Sequence, residues 1–482
     1  MTRYEQVAEQ LRARIQSGTY PVGSRLPGLR RLAGEFNVSI STVQSACQRL
    51  QDQGQLEARA RSGFFIRPAM RQALSQPHMP PASKTPHPVT GLAVATHLML
   101  QTTKPGVQLG AAITDASFLA RGLITRSMTK VNRNPVNPWL GYAMSPGNPD
   151  LRQAVAERLR LQGCAVRAED VVITCGCHEA IVLALKTLTQ PGDTVAIESP
   201  SFYGFLQAMQ GLGLKVLEIP NHPTTGLSLE ALEFALDRWP VKACVVTPNF
   251  SNPLGSLMPT SHKQALVKLL QARGVALIED DIYGDLSHNT ERPDNCLQYD
   301  ASGTTVIHCS SVSKSIAPGL RVGWAVSSRY AEALAQQKLL LNLAGPSLAQ
   351  AMVAHIFQSG RYETHLRQLR PRLAQTVARM QQAVTRYFPE TTRVSQPKGG
   401  FVLWLECPTE LDSLELMRLA EAQGIYIAPG GIFSVSGKYT YCLRLNCAVQ
   451  WDARVEAAIA FLGQTVSNLI HARPVVAGIE GR

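Results

Sequence analysis

The sequence predicts two different folds in one chain: a small, mainly α N-terminal domain and a large α/β domain that ends in a smaller α+β unit. Three observations carry this. The first seventy residues hold three short segments whose apolar residues recur at helical spacing. From about residue 140, short apolar runs alternate with amphipathic segments, the pattern of a mostly parallel sheet with helices on both faces. Between the two lies a proline-rich stretch without periodicity. At 482 residues the chain is long enough for two domains or more, with at least one large core.

Composition narrows the class further. No apolar run approaches the roughly 18–20 residues that a membrane helix needs. The chain opens with no charged segment followed by an apolar one, so no signal peptide and no membrane partner are expected. The ten cysteines show no paired CxxC or other zinc spacing; they read as reduced, mostly buried thiols of a cytoplasmic protein, with no metal site. The formal net charge is +12. In residues 1–70 ten arginines, and no lysine, face five carboxylates. Guanidinium groups fork onto phosphate, so this basic module points to a nucleic-acid partner.

Tyr4 to Ser17 carries Val7, Leu11 and Ile15 on one helical face, and Gly18 ends that helix. Tyr20-Pro21-Val22-Gly23 is a turn. Leu29, Leu32, Ala33 and Phe36 sit at i, i+3, i+4 and i+7, a second short helix that Asn37 breaks. Ser39 or Ser41 caps a third, with Val43, Ala46, Cys47 and Leu50 on its apolar face. Two short helices with a tight turn, the second with a polar outer face, suit a helix-turn-helix in the major groove of double-stranded DNA. Ser39, Ser41, Thr42, Gln44, Ser45 and Gln48 are the candidate base readers, and Arg30, Arg31, Arg49 and Arg61 the candidate phosphate contacts. Residues 59–66 then read as a β-wing with Gly63 in its turn.

The proline-rich run Gln76 to Pro88 reads as an extended connector, and residues 70–92 as the linker; its second half could instead be an ordered arm on the larger domain. The larger domain spans 93–478. Val171–Thr174, Thr194–Ile197, Lys215–Ile219, Ala243–Thr247 and Ala276–Glu279 are predicted strands. Leu151–Leu161, Glu179–Leu188, Leu229–Trp239 and Ser261–Arg273 are predicted helices. A helix-rich piece follows Arg329, and strands near Gly400–Leu405 and Thr440–Asn446 close the chain. Residues 479–482, Ile-Glu-Gly-Arg, match a factor Xa cleavage site and are read as a tag remnant.

The chemistry sits in loops at strand ends, where α/β sheets place ligands. Ser310 to Trp324 holds a lysine, Lys314, among serines and a Pro-Gly turn, with Arg321 seven residues on. Its amine can form a Schiff base with an aldehyde, while Ser311, Ser313 and Arg321 can hold a phosphate; a solvated surface loop is the plain alternative. Gly176, Cys177 and His178 join a strand to a helix start, whose amides can bind a phosphate. Phe202 and Tyr203 follow another strand, and either could stack on a flat ring or pack in the core. Asn252 precedes Pro253 and could donate to a ring hydroxyl or simply shape a turn. Asp280 ends a further strand, where a buried acid needs a cation such as a protonated pyridine nitrogen; Asp281 could take that role by a one-residue shift. Tyr283 lies within reach of the same ring.

Two resemblances follow from these residues. The ordered set Gly18, Gly23, Arg25-Leu26-Pro27, Leu29-Arg30, Leu32-Ala33, Val38-Ser39, Thr42-Val43, Leu50, Gly54 and Ser62-Gly63-Phe64 resembles the winged-helix domain of the GntR regulator family. That family usually carries arginine where this chain has Ile40. Either Arg30, Arg31 and Arg49 carry more of the phosphate contact, or the operator differs. Residues 95–465 resemble fold-type I pyridoxal 5′-phosphate enzymes of the aspartate aminotransferase group. The resemblance implies Lys314 as the Schiff-base lysine, Asp280 as pyridinium partner, Asn252 and Tyr283 on the ring hydroxyl and Phe202 as the stacking aromatic. It further implies a phosphate cup of Gly176, Cys177, His178, Ser311 and Arg321, with Tyr142 reaching a phosphate across a dimer interface. Arg444 matches the arginine that clamps a substrate carboxylate. Cys177 and His178 depart from the small residues or glutamine usual in that loop, and Leu254 from the usual threonine.

The two resemblances combine into that of the MocR subfamily: a winged helix-turn-helix over residues 1–69 fused to an aminotransferase-like sensor over 93–478. The implied function is a regulator of transcription that responds to an amine-bearing carboxylate, such as an amino acid, as a head-to-tail homodimer. A working aminotransferase with an appended DNA-binding module is the alternative, since Lys314, Asp280 and Arg444 are all present. A third reading makes pyridoxal 5′-phosphate itself the signal.

Overall fold

The structure is a computed structural model and describes residues 2–16, 19–20, 24–52, 55–59, 63–66, 74–91, 93–133 and 138–472. Gly18, Pro21 to Gly23, Gly54, Arg61, Ser62 and residues 479–482, all used above, lie outside the described residues. The chain divides into two compact units, Met1–Ala73 and Leu74–Arg482.

In the first unit α1 (Arg3–Gln16), α2 (Leu29–Glu35) and α3 (Ile40–Asp52) are followed by an antiparallel hairpin of β1 (Leu56–Arg59) and β2 (Gly63–Ile66). The helical spacing works as expected: Val7, Leu11, Leu32, Ala33, Val43, Ala46, Cys47 and Leu50 form one core with Leu26, Leu56 and Ile66. Asn37 takes a left-handed conformation (φ 51°) that stops α2. Ser39, not Ser41, caps α3: its hydroxyl accepts the Thr42 amide at 3.2 Å. The wing is broader than the sequence suggests, because its first strand begins at Leu56 and Ser24–Leu26 adds a third edge through Leu26 N–H to the Phe64 carbonyl and Ile66 N–H to the Ser24 carbonyl.

The second unit is built on one long sheet. Its strands run in the order His87–Pro88, Lys215–His222, Thr194–Ser199, Val241–Val246, Ala276–Asp280, Val306–Ser311, Gly323–Val326 and Val171–Thr174. The four pairings from Lys215–His222 to Val306–Ser311 are parallel, and Gly323–Val326 runs antiparallel to both neighbours. Alternate residues feed opposite cores. Val195, Ile197, Ala243, Val245, Ile278 and Ile307 pack on one face, with Ile181, Leu185, Phe205 and Met209. Ala196, Cys244, Val246, Leu277 and Val306 pack on the other, with Leu151, Val155, Leu266 and Leu270. A sheet covered on both faces needs apolar residues at nearly every position, which is why these strands read as unbroken runs.

The long helix Arg361–Tyr387 leads into a four-stranded antiparallel sheet, in the order Arg393–Val394, Val402–Glu406, Cys442–Asn446 and Ala428–Pro429. Ser413–Glu421 and Ala453–Ala472 are the helices that follow its strands, and their apolar residues share one core with Leu403, Leu405, Leu443 and Leu445.

The linker expected over 70–92 is a correction. Residues from Leu74 on are packed against the second unit. Leu74 is buried in the core of the small sheet, Ser75 accepts the Val394 amide at 2.8 Å, and Lys438 Nζ reaches the Pro81 carbonyl at 3.1 Å. The His78 amide donates to Glu406 at 2.8 Å, and Ser83 Oγ donates to the buried Glu218 at 3.2 Å. Prolines removed the periodicity that would have marked the segment as ordered, yet an extended chain with free carbonyls suits an arm held by side-chain donors.

Candidate cofactor and effector site

Loops at the carboxyl ends of five strands, together with the small sheet, carry the predicted residues. Asp280 ends Ala276–Asp280 and lies in register with Cys309 of Val306–Ser311, the strand that leads to Lys314. Asp280 is buried. It accepts the Cys177 thiol at 3.2 Å and the Ile282 amide at 3.2 Å, and no lysine, arginine or histidine among the described residues forms an ion pair with it. Burial, with the like charge of Asp281, pushes its carboxyl up to about 6. Asp281 is not an alternative: its carboxylate is held by Arg292 and, at 2.9 Å, by Asn249.

Lys314 donates to the Ala112 carbonyl at 2.6 Å. Burial and then the Arg444 guanidinium lower its amine to about 8, against the pull of Asp280 and Cys177. A lysine so placed is uncharged in a useful fraction near neutral pH, as a nucleophile must be.

The residues expected to form a phosphate cup gather where Thr174 turns into helix Cys177–Leu188. Gly176 adopts φ 94°, and a Cβ there would meet the Arg321 guanidinium at 2.7 Å. Arg321 donates to the Cys175 carbonyl beside the uncapped start of that helix. Gly323 backs directly onto Gly176, where any Cβ would lie 2.6 Å from its carbonyl carbon. Ser311 and Ser313 are buried in the adjoining loop, the Ser311 hydroxyl accepting the Ser313 amide at 3.2 Å. One expectation changes here. The Cys177 side chain serves Asp280, so only its backbone N–H remains for a phosphate; His178 stays exposed, its imidazole held below its ordinary value by partial burial and Arg321.

Arg444 is fully buried on Cys442–Asn446. It donates to Asn252 Oδ1 at 2.9 Å and to the Gly110 carbonyl, and its Nε has no partner among the described residues. The rings of Phe433 and Tyr203 lie 5.2 and 5.9 Å from it. No carboxylate pairs with it among the described residues. Asn252 also donates to the Tyr283 hydroxyl at 3.4 Å, so the two ring-hydroxyl candidates are adjacent. Burial pushes the Tyr283 phenol up, so it stays protonated at neutral pH.

Phe202 caps helix Tyr203–Gly211, tilted against Tyr203 at 4.7 Å and edge-on to Phe205 at 5.4 Å. Tyr142 is not brought to this cluster: it is 80% exposed and hydrogen-bonded to none of the described residues. Sequence reasoning missed the carbonyls of Gly110 and Ala112, which receive Arg444 and Lys314. No local signal marks them: the close approach at Gly110, where a Cβ would collide with Leu98 at 2.6 Å, exists only in the folded chain. It also missed the buried network behind the site, in which His308 Nδ1 meets Glu279 at 3.0 Å and Arg292 bridges Asp281 and Asp285.

Asp280 and Arg444 are mirror images of one problem: a buried carboxyl without a cation and a buried guanidinium without an anion. Occupants that bring a cation to the one and an anion to the other would relieve both. The match to the class I and II aminotransferase family covers residues 116–462, and the match to the gntR family of bacterial regulatory proteins covers residues 3–66. This chain belongs to the gntR regulators in their aminotransferase-fused, MocR form. It is 38% identical over 470 residues to the uncharacterized HTH-type transcriptional regulator YjiR of Escherichia coli, covering 97% of this chain and 99% of that one. The 2-aminoadipate transaminase of Thermus thermophilus is 29% identical over 77% of this chain and 93% of its own length. The crystal structure of Thermus thermophilus LysN, complexed with N-(5′-phosphopyridoxyl)-L-leucine, superposes with a TM-score of 0.73 at 28% identity, over 78% of this chain and 96% of LysN. The cofactor of this MocR-type chain is pyridoxal 5′-phosphate, and the pocket fits it. The donor set suits that group: the buried Asp280 carboxyl would face the ring nitrogen, the Lys314 amine the aldehyde, Asn252 and Tyr283 the ring hydroxyl, and the Gly176–Arg321 turn the phosphate.

On the DNA-reading unit, Ser41, Gln44, Ser45 and Gln48 stand exposed along α3, Thr42 is half-buried, and Arg30 and Arg31 are exposed on α2. Two expectations need qualification. The Ser39 hydroxyl is engaged in the cap. Arg49 donates to Glu5 Oε1 at 2.7 Å, so its guanidinium is shared with a carboxylate of α1. Ile40 is 44% exposed at the start of α3. No helix among the described residues is long and apolar enough to cross a membrane.

Proposed function

We propose that this MocR-type regulator senses an amine-bearing carboxylate at the pyridoxal 5′-phosphate pocket and converts its binding into altered operator affinity. The observation that carries the reading is Arg444: a guanidinium fully out of water, without a carboxylate among the described residues, is kept for an anionic ligand. Bound pyridoxal 5′-phosphate supplies an aldehyde that condenses with amines and a ring that withdraws electrons. The chain's own groups do the rest. Asp280 keeps the ring nitrogen protonated. Lys314 offers an uncharged amine and takes up a proton when displaced. Arg444 turns its fork from Asn252 and Gly110 toward the effector carboxylate.

A route outward begins at the same strand. Arg444 lies in register with Trp404 of Val402–Glu406, and Glu406 at the end of that strand holds His78 of the arm. The arm is the chain that follows the DNA-reading unit. A shift of the small sheet on carboxylate binding would therefore pull on it, provided the effector favours one arrangement over the other.

The acting form in this reading is a homodimer, with the subunits head to tail. Ala143–Met144 pairs with Ala344–Gly345, and around that pair Leu140, Tyr142, Met144, Leu340 and Leu343 are all exposed. Such a patch beside the phosphate cup suits a second copy, whose Tyr142 would reach this chain's phosphate. In the reader, Ser41, Thr42, Gln44, Ser45 and Gln48 would meet base edges, with Arg30 and Arg31 on the backbone and Arg49 in reserve; Arg61, outside the described residues, is kept as a candidate phosphate contact.

The test is titration of labelled promoter DNA with the holoprotein, with and without a panel of amino acids. Arg444→Lys should retain the cofactor's visible band yet lose the response by tenfold or more, because an ammonium cannot make the two-pronged contact. Unchanged affinity with every amine would defeat the reading. If added cofactor alone shifts DNA binding, the signal is pyridoxal 5′-phosphate itself. The aminotransferase alternative rests on the joint presence of Lys314, Asp280 and Arg444, and predicts sustained turnover with an amino acid and a keto acid.

A further inference from the structure

A groove of about 530 Å³ opens between the segment around Phe118–Arg126 and the first turns of helix Arg361–Tyr387. Arg121, Arg126, Arg361 and Arg372 line it together with His365, and no carboxylate among the described residues does. All four arginines are exposed. Arg121, Arg126 and Arg361 form no ion pair with a described residue. Arg372 is held flat, its guanidinium 4.5 Å over the Phe118 ring and donating to the Ser117 carbonyl at 3.0 Å. The field is felt nearby: beyond burial, Arg372 lowers the His365 imidazole, and Lys130 and Arg361 lower that of His355.

The groove is separate from the phosphate cup, which is made by Gly176 and Arg321, but its floor is tied to the cofactor loop. His365 Nε2–H donates to the Ser315 carbonyl at 2.7 Å, and the Ala120 amide donates to the Ile316 carbonyl at 3.1 Å. The buried Tyr362, one turn of helix before His365, shares a hydrogen bond of 2.8 Å with Ser315 Oγ. Ser315 and Ile316 directly follow Lys314.

Four guanidinium groups around one concavity repel one another, and water offsets only part of that cost. An anion of matching charge offsets the rest. The guanidinium fork fits phosphate oxygens two at a time, so four of them suit adjacent phosphate groups better than a single carboxylate. We propose that this groove is a second anion site for a ligand carrying adjacent phosphate groups, either a free diphosphate ester or successive phosphates of a DNA strand, and that its occupancy is transmitted to the Lys314 loop. The site stands without the effector reading above; only its regulatory use rests on it.

The experiment uses the full chain saturated with pyridoxal 5′-phosphate, as wild type and as the Arg126→Ser/Arg361→Ser double variant. Both positions are exposed and outside the cofactor pocket, so the visible band should be the same in the two proteins. Inorganic pyrophosphate is titrated calorimetrically and against that band. The salt dependence of binding to a non-specific duplex is measured in parallel. For a free diphosphate, the double variant should bind pyrophosphate at least tenfold more weakly, and the band should move in wild type alone. For DNA, the slope of log K against log salt should fall by about two in the double variant. Identical pyrophosphate titrations together with identical slopes overturn the site. Loss of pyrophosphate binding with an unmoved band overturns the transmission to Lys314. The amino-acid response at promoter DNA should persist in the double variant, so failure here and failure of the effector reading give different results.

Discussion

Asp280 gives up its proton near pH 6 instead of at its ordinary value of 3.8. Between those values the cofactor-free folded chain holds more protons than the unfolded chain. Stability therefore falls as pH rises through that window, by about 3 kcal/mol at most. A protonated ring nitrogen held against Asp280 would remove the penalty. The rise in thermal midpoint on adding pyridoxal 5′-phosphate should thus be larger at pH 7 than at pH 5, and Asp280→Asn should flatten that difference. Scanning calorimetry at the two pH values checks it; a wild-type gain that does not vary with pH would count against Asp280 as the ring's partner. Asp280 and Lys314 could be picked out as candidates from the sequence, because their residue types and places beside strand ends suggested the chemistry; Arg444, in the middle of Cys442–Asn446, was named only through the family resemblance. The role of Cys177 was not legible in the sequence, since the contact between its thiol and Asp280 spans more than a hundred residues of chain.

At the scale of elements, the turn into helix Cys177–Leu188 is the most constrained. Gly176→Ala would put a methyl group on a left-handed backbone and against Arg321, so either the turn or the guanidinium must move. Cofactor affinity should fall by tenfold or more while far-UV circular dichroism is unchanged, a split that spectrophotometric titration can read. In the DNA-reading unit, α3 was found from periodicity, cap and polar face alone. The pairing of Arg49 with Glu5 was invisible there, because α1 and α3 meet only in the folded unit. It shifts the expected phosphate contact toward Arg30 and Arg31. The exposed Ile40 offers base edges an apolar surface, such as a thymine methyl would meet.

For the molecule as a whole, the exposed apolar patch and the arm each carry an outcome. Leu340→Glu with Leu343→Glu places two charges where a second copy would pack, so sedimentation should show monomers and cofactor affinity should drop with loss of the partner's Tyr142. Dimers that persist would move the interface elsewhere. His78→Ala with Glu406→Gln removes the imidazole–carboxylate pair that helps tie the arm to the sheet of Arg444. Cofactor binding and basal DNA affinity should be retained, while the amino-acid effect on DNA affinity should shrink several-fold; an undiminished effect would show that the signal takes another path.

The order of helices and strands, the division of the chain into two units and the candidacy of Lys314 and Asp280 follow from local rules: period, caps, turn residues and residue type at a strand end. These act over a few residues and are written in the order of the chain. Tertiary structure alone decided which acid is free, Asp280, and which is tied to Arg292. It alone decided that the arm from Leu74 is packed rather than loose, that carbonyls at Gly110 and Ala112 face Arg444 and Lys314, and that four arginines from two distant segments share one groove. Each of these depends on burial and on partners far away in sequence, and neither a pairwise contact nor a lost hydration shell leaves a period in the chain.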